Sequence, residues 1–509
     1  MQPGTRLAAI DLGSNSFRLE IATLEMGQLQ RVEYHKETVR QGAGLDADRC
    51  LSNDALVRGW NCLARFAERL SNFESHQVRA VATQTLREAR NRDEFIERGQ
   101  DILGFPIEVI SGREEARLIY QGVAHLLPQS DERRLVLDIG GRSTELIIGS
   151  GYTSGAKESY RVGSVAWSLR YFPEGQLSAK NFERAEIAAK ALLDEALTTH
   201  GPQHWDVAYG CSGTVGAIAD TLLAAGRAPA RHIITREGLH WLRDKLIKAR
   251  RADAIKLEGI KEDRQPVIAG GLSVLCALSD LLDIERLQYA YGALRHGALY
   301  DMLDREHHDT DVRATAIESL ARRFQTDADQ ATRVAHTALR LFGQLGTGLK
   351  KKQRLEAERQ IEWAARLHEI GIRISHADHH KHGAYILDNT DASGFALHEL
   401  HQLSQLVLGH RGKLRKLEAN LDDPLFVQQL LALRIAVILC HARQDPDDAR
   451  ITLRSDKSAS DQGFVLGLRK DWECDWPQSA HLLREEVAAW QRTPWSLRLK
   501  EQSTAPKGT

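Results

Sequence analysis

Two short segments of the sequence repeat one pattern of acidic, glycine and serine residues between apolar stretches. Ile10-Asp11-Leu12-Gly13 is followed by Ser16, and Leu137-Asp138-Ile139-Gly140 is followed by Ser143 at the same spacing. A tight turn rich in glycine, serine and asparagine exposes backbone N–H groups that can bind an anion. Glycine in such a turn also allows positive φ and a close approach of the ligand. The repeat therefore predicts two hairpin loops that bind phosphate, although either segment alone would be weak evidence.

The two aspartates put negative charge where these loops would bind phosphate. Asp11 and Asp138 would repel a bare phosphate, so the pattern favours a divalent cation between carboxylate and substrate. Mg²⁺ suits this role because it binds one or two carboxylates and keeps most of its waters. Glu145 follows Asp138 across the hairpin and could face the same ion, and an exposed strand position is the alternative for this residue.

Three further polar loops follow predicted strands. Ser111-Gly112-Arg113-Glu114-Glu115-Ala116 begins a helix, where the helix dipole accounts for one acidic residue, and the presence of a second glutamate makes one of the two a candidate general base. Thr83-Gln84-Thr85-Leu86-Arg87 could present its arginine to phosphate. Tyr209-Gly210-Cys211-Ser212-Gly213-Thr214 precedes a helix and could bind an anion. The sequence has no Gly-x-x-x-x-Gly-Lys-Ser/Thr segment, which excludes a P-loop enzyme.

The elements that position these loops alternate between strand and helix, which predicts an α/β fold. The predicted strands are 7–10, 17–24, 78–82, 107–110, 135–139 and 144–148, and the predicted helices are 54–72 and 114–127. Because the hairpin unit recurs, we expect two related halves in this part of the chain.

From about residue 300 the pattern changes to mostly helix. The predicted elements are helices at 328–343 and 357–370 with an exposed loop at 347–352 between them, short strands at 451–454 and 464–468, and a helix at 480–492. The last residues, 503–509, are expected to fray.

Composition narrows the class of protein. A chain of 509 residues with 42% hydrophobic and 27% charged residues is long enough for roughly three or four domains. No apolar run approaches the roughly 18 residues of a membrane span, and the N-terminal residues leave no room for a signal peptide. Six scattered cysteines without a Cys-x-x-Cys pair fit a reducing cytosol, so we expect a cytoplasmic protein. The net charge of −1 argues against a nucleic-acid partner, and any polyanion must meet a local patch.

Taken together, the motifs resemble those of a known family. Residues 9–17, 110–120 and 137–145 are similar to the signatures of the exopolyphosphatase/guanosine pentaphosphate phosphohydrolase family. Ser212-Gly213-Thr214 and Gly292-Ala293-Leu294-Arg295 also fit, and the resemblance covers nearly the whole chain. It implies a two-domain actin-like (ribonuclease H-like) ATPase core, followed by a helical HD-like domain and a small α+β C-terminal domain.

The resemblance also implies boundaries and residue roles. The implied domains are residues 1–118 and 119–300 for the core, 301–448 for the HD-like domain and 449–509 for the C-terminal domain. Glu115 resembles the catalytic glutamate, and Asp138 and Glu145 resemble the magnesium ligands. The implied phosphate-binding residues are Asp11, Asn15, Ser16, Arg87, Gly140, Gly141, Arg142, Ser143, Ser212 and Gly213.

The implied chemistry is hydrolysis at the end of a phosphate chain. The metal ion would offset developing charge, the loops would hold the terminal phosphate, and Glu115 would deprotonate a water for in-line attack. Mg²⁺ is the expected cofactor, with Mn²⁺ as an alternative and K⁺ as a further monovalent cation. Arg142 stands where the family often has a third glycine, and its side chain could contact the phosphate chain or point into solvent.

One segment of the C-terminal half resembles an HD-type phosphohydrolase module. Leu367-His368-Glu369-Ile370-Gly371, with His336, His382 and His410, supplies the histidine part of a metal-binding pattern. Glutamate replaces the tandem aspartate, and residues 433–438 supply no later acid. We therefore expect a degenerate module that serves structure and substrate guidance.

The same region is rich in cationic side chains. His382, Arg411 and Lys413 could form a track for a long polyphosphate, and a solvated charged face is the alternative.

Exopolyphosphatase, which releases terminal orthophosphate from inorganic polyphosphate, is the expected activity. Residues 380–387 and the basic run after His410 favour that branch, and removal of the 5′ γ-phosphate from guanosine pentaphosphate is the alternative. An ATP-dependent kinase on the same core, or a nucleotide sensor without catalysis, would represent other classes of function. The family also implies a homodimer, and no nucleic-acid or membrane partner is expected.

Overall fold

A computed structural model of the chain shows which elements carry the two hairpins. It describes residues 2, 4–25, 28–305, 310–345, 348–446, 451–456, 463–469 and 472–502. The chain divides into two units, Met1–Asp311 and Val312–Thr509. Both hairpins, and every loop expected to bind the terminal phosphate, belong to the first unit.

The first sheet has five strands in the order β3-β2-β1-β4-β5. They are β1 (Arg6–Leu12), β2 (Phe17–Glu25), β3 (Gln28–Glu37), β4 (Val78–Ala82) and β5 (Ile107–Val109). β1, β2 and β3 are antiparallel neighbours, whereas β4 runs parallel to β1, and β5 runs parallel to β4. β1 is buried along nearly its whole length, as its apolar residues require.

The second sheet repeats this arrangement and adds one strand, in the order β10-β11-β9-β6-β7-β8. Its strands are β6 (Arg134–Ile139), β7 (Thr144–Ser150), β8 (Thr153–Tyr160), β9 (Val207–Cys211), β10 (Ile233–Thr235) and β11 (Arg286–Tyr289). β6, β7 and β8 are antiparallel, β9 and β11 are parallel additions, and β10 pairs antiparallel with β11. Two sheets with the same three-plus-two topology form the actin-like, ribonuclease H-like core, which confirms the predicted fold class.

Helices pack against these sheets. In chain order they are α1 (Asn53–Leu70), α2 (Gln84–Glu88), α3 (Arg92–Leu103), α4 (Gly112–Ala124), α5 (Ser164–Tyr171), α6 (Ala179–Leu193), α7 (Ala196–His200), α8 (Gly213–Ala224), α9 (Arg236–Ala249), α10 (Gln265–Leu281) and α11 (Leu294–Asp304). Several begin at a side-chain cap; Ser111, for example, accepts a hydrogen bond from the backbone N–H of Glu114 at the start of α4. This cap fixes where the candidate base emerges.

The last helix of the first unit returns to the first sheet. Ala298, Leu299 and Met302 of α11 form one buried cluster with Leu7 and other residues of β1 and β2. The expected division after residue 118 falls inside α4, a helix that packs against α11 and against β8 of the second sheet. The predicted domain boundaries otherwise stay predictions.

The second unit is mostly helical and ends in a small sheet. Its elements are α12 (Val312–Arg323), α13 (Ala328–Leu345), α14 (Lys351–Leu367), α15 (His379–Asp388), α16 (Leu397–Gly409), α17 (Pro424–Leu439), β12 (Thr452–Asp456), β13 (Gly463–Arg469), α18 (Trp472–Asp475), α19 (Pro477–Trp490) and β14 (Ser496–Gln502). α14 begins six residues before the predicted start, so Lys351 and Lys352 are helical and do not belong to a loop. The strand β14 was not predicted, and the frayed tail expected at 503–509 lies outside the described residues.

None of the described helices is both long and apolar enough to cross a membrane.

Candidate active site

The two hairpins face one cleft in the first unit, with a volume of about 260 Å³. Ten of the expected site residues line it: Asp11, Asn15, Ser16, Glu115, Asp138, Gly140, Gly141, Ser143, Ser212 and Gly213. Arg87, Arg142 and Glu145 do not line the cleft. The fold therefore collects loops that are far apart in sequence around one polar space.

The first hairpin carries its own counter-charge. Asp11 of β1 lies opposite Arg18 of β2, whose Nη1 donates to Asp11 Oδ2 at 2.8 Å. At the tip of the turn, Asn15 Nδ2 and Ser16 Oγ are buried and have no hydrogen-bond partner among the described residues. Buried polar groups without partners are rare in native proteins. These two groups can donate to the oxygens of a bound phosphate.

The second hairpin has acid at both of the corresponding positions. Asp138 of β6 lies opposite Glu145 of β7; Glu145 is buried and Asp138 is partly buried. Cys211 Sγ donates to Asp138 Oδ2 at 3.3 Å, and Ser159 Oγ donates to Glu145 Oε1 at 2.7 Å. Burial raises the pKa of Asp138 to about 6. Burial, together with the neighbouring carboxylates, raises the pKa of Glu145 well above its usual value.

This acidic pair fits a hard divalent cation. Two buried carboxylates side by side repel one another, and a cation between them would remove that repulsion. No group of three or more histidine, cysteine or acidic side chains within the described ranges is arranged to hold a metal on its own. Mg²⁺ does not require such a cage, because it binds through one or two carboxylates, waters and substrate phosphates.

The glycines of the hairpins serve close approach and do not supply positive φ. Gly13, Gly140 and Gly141 are absent from the residues with positive φ, so that part of the expectation was wrong. A Cβ on Gly141 would lie 3.0 Å from Ser14 Cβ, which shows how tightly the second hairpin approaches the first. A Cβ on Gly140 would lie 3.1 Å from the carbonyl oxygen of Ser143 within its own turn.

Adjacent glutamates at the start of α4 have different surroundings. Glu114 is buried and accepts two hydrogen bonds from Arg117, each at 2.8 Å, which ties it into the protein interior. Glu115 lines the cleft instead. Burial raises the pKa of Glu115 to about 7, and the charges of Asp11 and Asp138 act in the same direction. A carboxyl group with a pKa near neutrality is suited to general-base catalysis.

Arg87 contacts this glutamate and does not contact the cleft. Its Nη2 lies 2.8 Å from Glu115 Oε2, which makes an ion pair between the two side chains. The guanidinium is instead held by Gln84 and by the carbonyl oxygen of Ile110. Arg87 therefore orients Glu115 through an ion pair, and its expected phosphate contact stays a prediction.

The side chain of Arg142 does not point into solvent but binds within the protein, and its contact with the phosphate chain stays a prediction. Its Nε and Nη2 donate to Glu88 Oε2 at 3.0 and 2.8 Å, and its Nη1 donates to the carbonyl oxygen of Gly42 at 3.0 Å. A partly buried carboxylate outcompetes both solvent and the cleft for this guanidinium. Arg142 therefore links the second hairpin to elements of the first half.

The loop before α8 is strained and basic. Ser212 has φ of 97°, which is unusual for a residue with a side chain, and its Oγ accepts from the backbone N–H groups of Thr214 and Val215. A side chain on Gly213 would collide with the guanidinium of Arg264. Glycine at this position thus lets a cation approach the N-terminus of a helix, an arrangement that favours an anion nearby.

Sequence reasoning gave no role to the cations of the cleft, which are Arg18, Lys36, Arg264 and Arg295. Arg295 donates to Glu20 at 2.5 Å, and Lys36 donates to Asp263 at 3.2 Å. The side chain of Arg264 has no ion pair or hydrogen bond among the described residues. Arg18 could have been found, because it occupies in the first hairpin the position that Glu145 occupies in the second.

The second unit contains a group of buried histidines. The rings of His368 and His410 lie 5.4 Å apart, and those of His379 and His410 lie 5.5 Å apart. Glu369 points to Arg443, at 2.9 Å, and His336, expected near His368, is exposed on α13. The degenerate character of this module stays a prediction.

The three residues of the expected polyphosphate track lie at or near the surface of the second unit. His382 is half-buried, whereas Arg411 and Lys413 are exposed. No contact in the structure tests their role.

Comparison with known proteins decides the family. Residues 20–306 match the Ppx/GppA phosphatase family, and residues 312–488 match domain III of Ppx/GppA phosphatases. The chain belongs to this family. The match confirms the resemblance, and it confirms the predicted enzyme class, a phosphoanhydride hydrolase.

Full-length relatives carry a more specific name. The chain is 39% identical over 497 residues to the guanosine-5′-triphosphate,3′-diphosphate pyrophosphatase of Vibrio atlanticus, covering 97% of this chain and 98% of the relative. It is 40% identical over 501 residues to the protein of that name from Pseudoalteromonas translucida, covering 96% and 97%. These similarities overturn the expectation that the chain belongs to the exopolyphosphatase branch of the Ppx/GppA family.

Solved structures support the fold of the first unit. The crystal structure of an exopolyphosphatase from Cytophaga hutchinsonii is 24% identical and covers 59% of this chain and 98% of its own, with a TM-score of 0.54. At this identity the likeness shows the fold alone. The exopolyphosphatase expectation came from local strings in the second unit, which do not separate the branches of the Ppx/GppA family.

Proposed function

We propose that this protein removes the 5′ γ-phosphate of guanosine pentaphosphate and releases orthophosphate and guanosine tetraphosphate. Its relatives over almost the full chain carry the corresponding name. The observation in the structure that supports hydrolysis most directly is Glu115, which is buried in the cleft wall with a raised pKa. Its Oε2 is held by Arg87 at 2.8 Å, which fixes the position of the carboxyl group.

The terminal phosphate binds at the tip of the first hairpin. Asn15 Nδ2 and Ser16 Oγ donate to its oxygens, because these groups are buried and otherwise unpartnered. Arg264 adds positive charge beside the loop that carries Gly213. Fixed donors that surround the reacting phosphorus stabilise the charge of the transition state without reorganisation.

Glu115 takes a proton from the attacking water. The water oxygen forms a bond to the γ-phosphorus while the bond between that phosphorus and the β,γ-bridging oxygen breaks, and the electron pair stays on the bridging oxygen. Arg87 holds the glutamate from the side away from the cleft. The proton leaves the water during this step and is carried by the Glu115 carboxyl group.

Asp138 and Glu145 are the residues that would hold Mg²⁺ in this proposal, with Mn²⁺ as the substitute. The bound cation would supply charge compensation for the phosphate oxygens. Asp138 lines the cleft and Glu145 lies buried directly across the hairpin from it, so both carboxylates offer hard oxygen ligands.

Assembly and location belong to the same proposal. The described cysteines are all free, and their lack of pairing fits a reducing compartment such as the cytoplasm. Assembly as a homodimer stays a prediction.

Orthophosphate release tests the proposal. The kcat/KM should be highest for guanosine pentaphosphate, lower for long and short inorganic polyphosphate, and should require Mg²⁺. Glu115→Gln should lower kcat on the order of 10²- to 10⁴-fold, the usual effect of removing a positioned base. Near-normal turnover by this variant would contradict the role of Glu115.

The neighbouring glutamate supplies a matched control. Glu114→Gln removes a partner of Arg117 in the interior and should lower thermal stability, while the folded enzyme keeps most of its kcat. Glu115→Gln removes a carboxyl group that burial disfavours in its charged form, and should leave Tm unchanged or higher. A shared loss of stability would show that both glutamates are structural.

A further inference from the structure

An exposed aromatic ring stands on the wall of the phosphate cleft. Tyr291 follows β11 in the loop before α11, lines the cleft, and has a side chain that is 58% exposed. A phosphate chain offers nothing for such a ring to bind, since phosphate recognition uses charge and hydrogen-bond donors. The hydrolysis described above leaves Tyr291 without a role.

The ring is held by other aromatic residues. Its centroid lies 5.2 Å from that of Tyr289 and 5.3 Å from that of His232, with interplanar angles of 65° and 78°. The Tyr291 hydroxyl lies 3.3 Å from His232 Nε2. Two steeply inclined neighbours fix the ring and leave more than half of the side chain open. An ordered, open aromatic surface loses little conformational entropy when a ligand stacks on it.

The next residue explains why the loop keeps this course. A Cβ on Gly292 would collide with the backbone of Val123 in α4. The backbone is therefore packed closely against the helix whose first turn carries Glu115. The ring and the candidate base are tied to the same helix, so their separation does not depend on a mobile loop.

A cation lies on the same side of the cleft. The ring of Tyr289, which packs against that of Tyr291, lies against Gly216 in α8. Arg264 lines the cleft, and its guanidinium lies against Gly213 at the start of the same helix. Within the described part of the chain, its guanidinium has no ion pair. A nucleotide combines an aromatic base with phosphate, and an aromatic ring beside a guanidinium matches both parts.

We propose that Tyr291 and Arg264 form a subsite for the nucleoside end of the substrate, in which the purine base stacks on Tyr291 and an adjoining phosphate binds Arg264. The subsite rests on the proposed function and gives it a physical basis for choosing a guanosine polyphosphate over inorganic polyphosphate. A linear phosphate chain can use Arg264 but gains nothing from Tyr291.

Equilibrium binding tests the subsite without turnover. Guanosine tetraphosphate, the product of the proposed reaction, and inorganic tripolyphosphate are titrated calorimetrically into the full-length protein with Mg²⁺. Tyr291→Ala should weaken guanosine tetraphosphate binding by about 5- to 100-fold, the range found for loss of one stacked base. The ratio of the two dissociation constants should change by nearly the same factor.

Matched variants exclude a general disturbance. Tyr291→Phe keeps the ring and should keep the ratio of dissociation constants. Tyr152→Ala removes a ring of similar exposure, 52%, that does not line the cleft, and should resemble the wild type. Arg264→Met should weaken both ligands, because both carry phosphate.

The outcomes separate this subsite from the proposed function. Equal weakening of both ligands by Tyr291→Ala, or no weakening of either, would overturn the subsite even if the wild type hydrolyses guanosine pentaphosphate. If the wild type fails to hydrolyse that compound but binds guanosine tetraphosphate through Tyr291, the proposed reaction is wrong and the subsite stands.

Discussion

The two hairpins of the core have the same backbone and opposite chemistry. Each places an aspartate at the end of one strand and a paired residue directly across the turn. In the first hairpin that partner is Arg18, and in the second it is Glu145. The two hairpins thus differ in charge at one equivalent position. The Asp11–Arg18 pair is neutral, whereas Asp138 and Glu145 are both acidic.

This difference in charge fits the two roles proposed for the hairpins, phosphate binding and metal binding. In the first hairpin the Arg18–Asp11 pair leaves the turn free to offer Asn15 and Ser16 to a phosphate. In the second, burial raises the pKa values of Asp138 and Glu145, and a bound cation would favour the charged forms of both. The two hairpins thus share their geometry, and in the proposed mechanism the first binds phosphate and the second holds the metal.

The largest expected effect comes from removing the acid unique to the second hairpin. Glu145→Gln should lower kcat/KM by more than about 100-fold, because loss of even an indirect metal partner typically costs 10- to 100-fold. The activity that remains should need a higher Mg²⁺ concentration. The measurement is phosphate release as a function of Mg²⁺ concentration, with Ser159→Ala as a milder control that removes only a hydrogen bond to Glu145. If the Mg²⁺ dependence of Glu145→Gln equals that of the wild type, the second hairpin does not hold the metal through Glu145.

The charge pair of the first hairpin should have a smaller effect, chiefly on substrate binding. Arg18→Gln leaves Asp11 without its partner and should raise KM by about 10-fold, while the Mg²⁺ requirement stays that of the wild type. In a double-mutant cycle with Asp11→Asn, the free energy of unfolding should show a coupling on the order of 1–3 kcal/mol, since both side chains are mostly buried. Additive effects would mean that the pair does not neutralise the hairpin.

The buried acidic groups Glu115, Asp138 and Glu145 should also make the stability of the protein depend on pH. Glu115 and Asp138 have folded-state pKa values raised to about 7 and about 6. Groups with raised pKa stabilise the folded state at low pH, and this stabilisation is lost as pH rises through the folded-state values. Mg²⁺ should therefore raise Tm by a few degrees at pH 8 and by less at pH 5.5, and Glu145→Gln should reduce the difference. The difference between Tm with and without Mg²⁺ at one pH removes the contribution of titrating groups that lie far from the metal.

Arg142 should give the smallest effect. Because it binds Glu88 and Gly42 rather than the cleft, Arg142→Met should change KM by less than about threefold and lower the free energy of unfolding by about 1 kcal/mol. Glu88→Gln removes the same ion pair from the other side and should give a similar result. A KM increase for Arg142→Met alone would show that the arginine reaches the phosphate chain.

The local sequence pattern was sufficient to predict many strands and helices of the core. The hairpins, the strands β4 and β5 and the helix α4 are visible in sequence because apolar runs, turn residues and a serine cap act over a few residues. The edge strand β3 was not predicted, because its residues are mostly exposed and show no clear alternation of apolar and polar side chains. Charged side chains were the least predictable: the partners of Arg87 and Arg142 lie 28 and 54 residues away.

The sequence by itself determined the Ppx/GppA family, the α/β core, the paired hairpins and the candidacy of Glu115, Asp138 and Glu145, since each depends on residues that are neighbours along the chain. Only the tertiary structure decided which glutamate of the adjacent pair faces the cleft, where the arginines bind, and that Lys36, Arg264 and Tyr291 share its wall. These outcomes depend on competition between side chains that meet only when the two sheets pack, and burial then sets their charge and pKa. Arg18 and Glu145 illustrate both contributions. The repeat in the sequence shows that they occupy equivalent positions, and the fold shows that each lies opposite the aspartate of its hairpin.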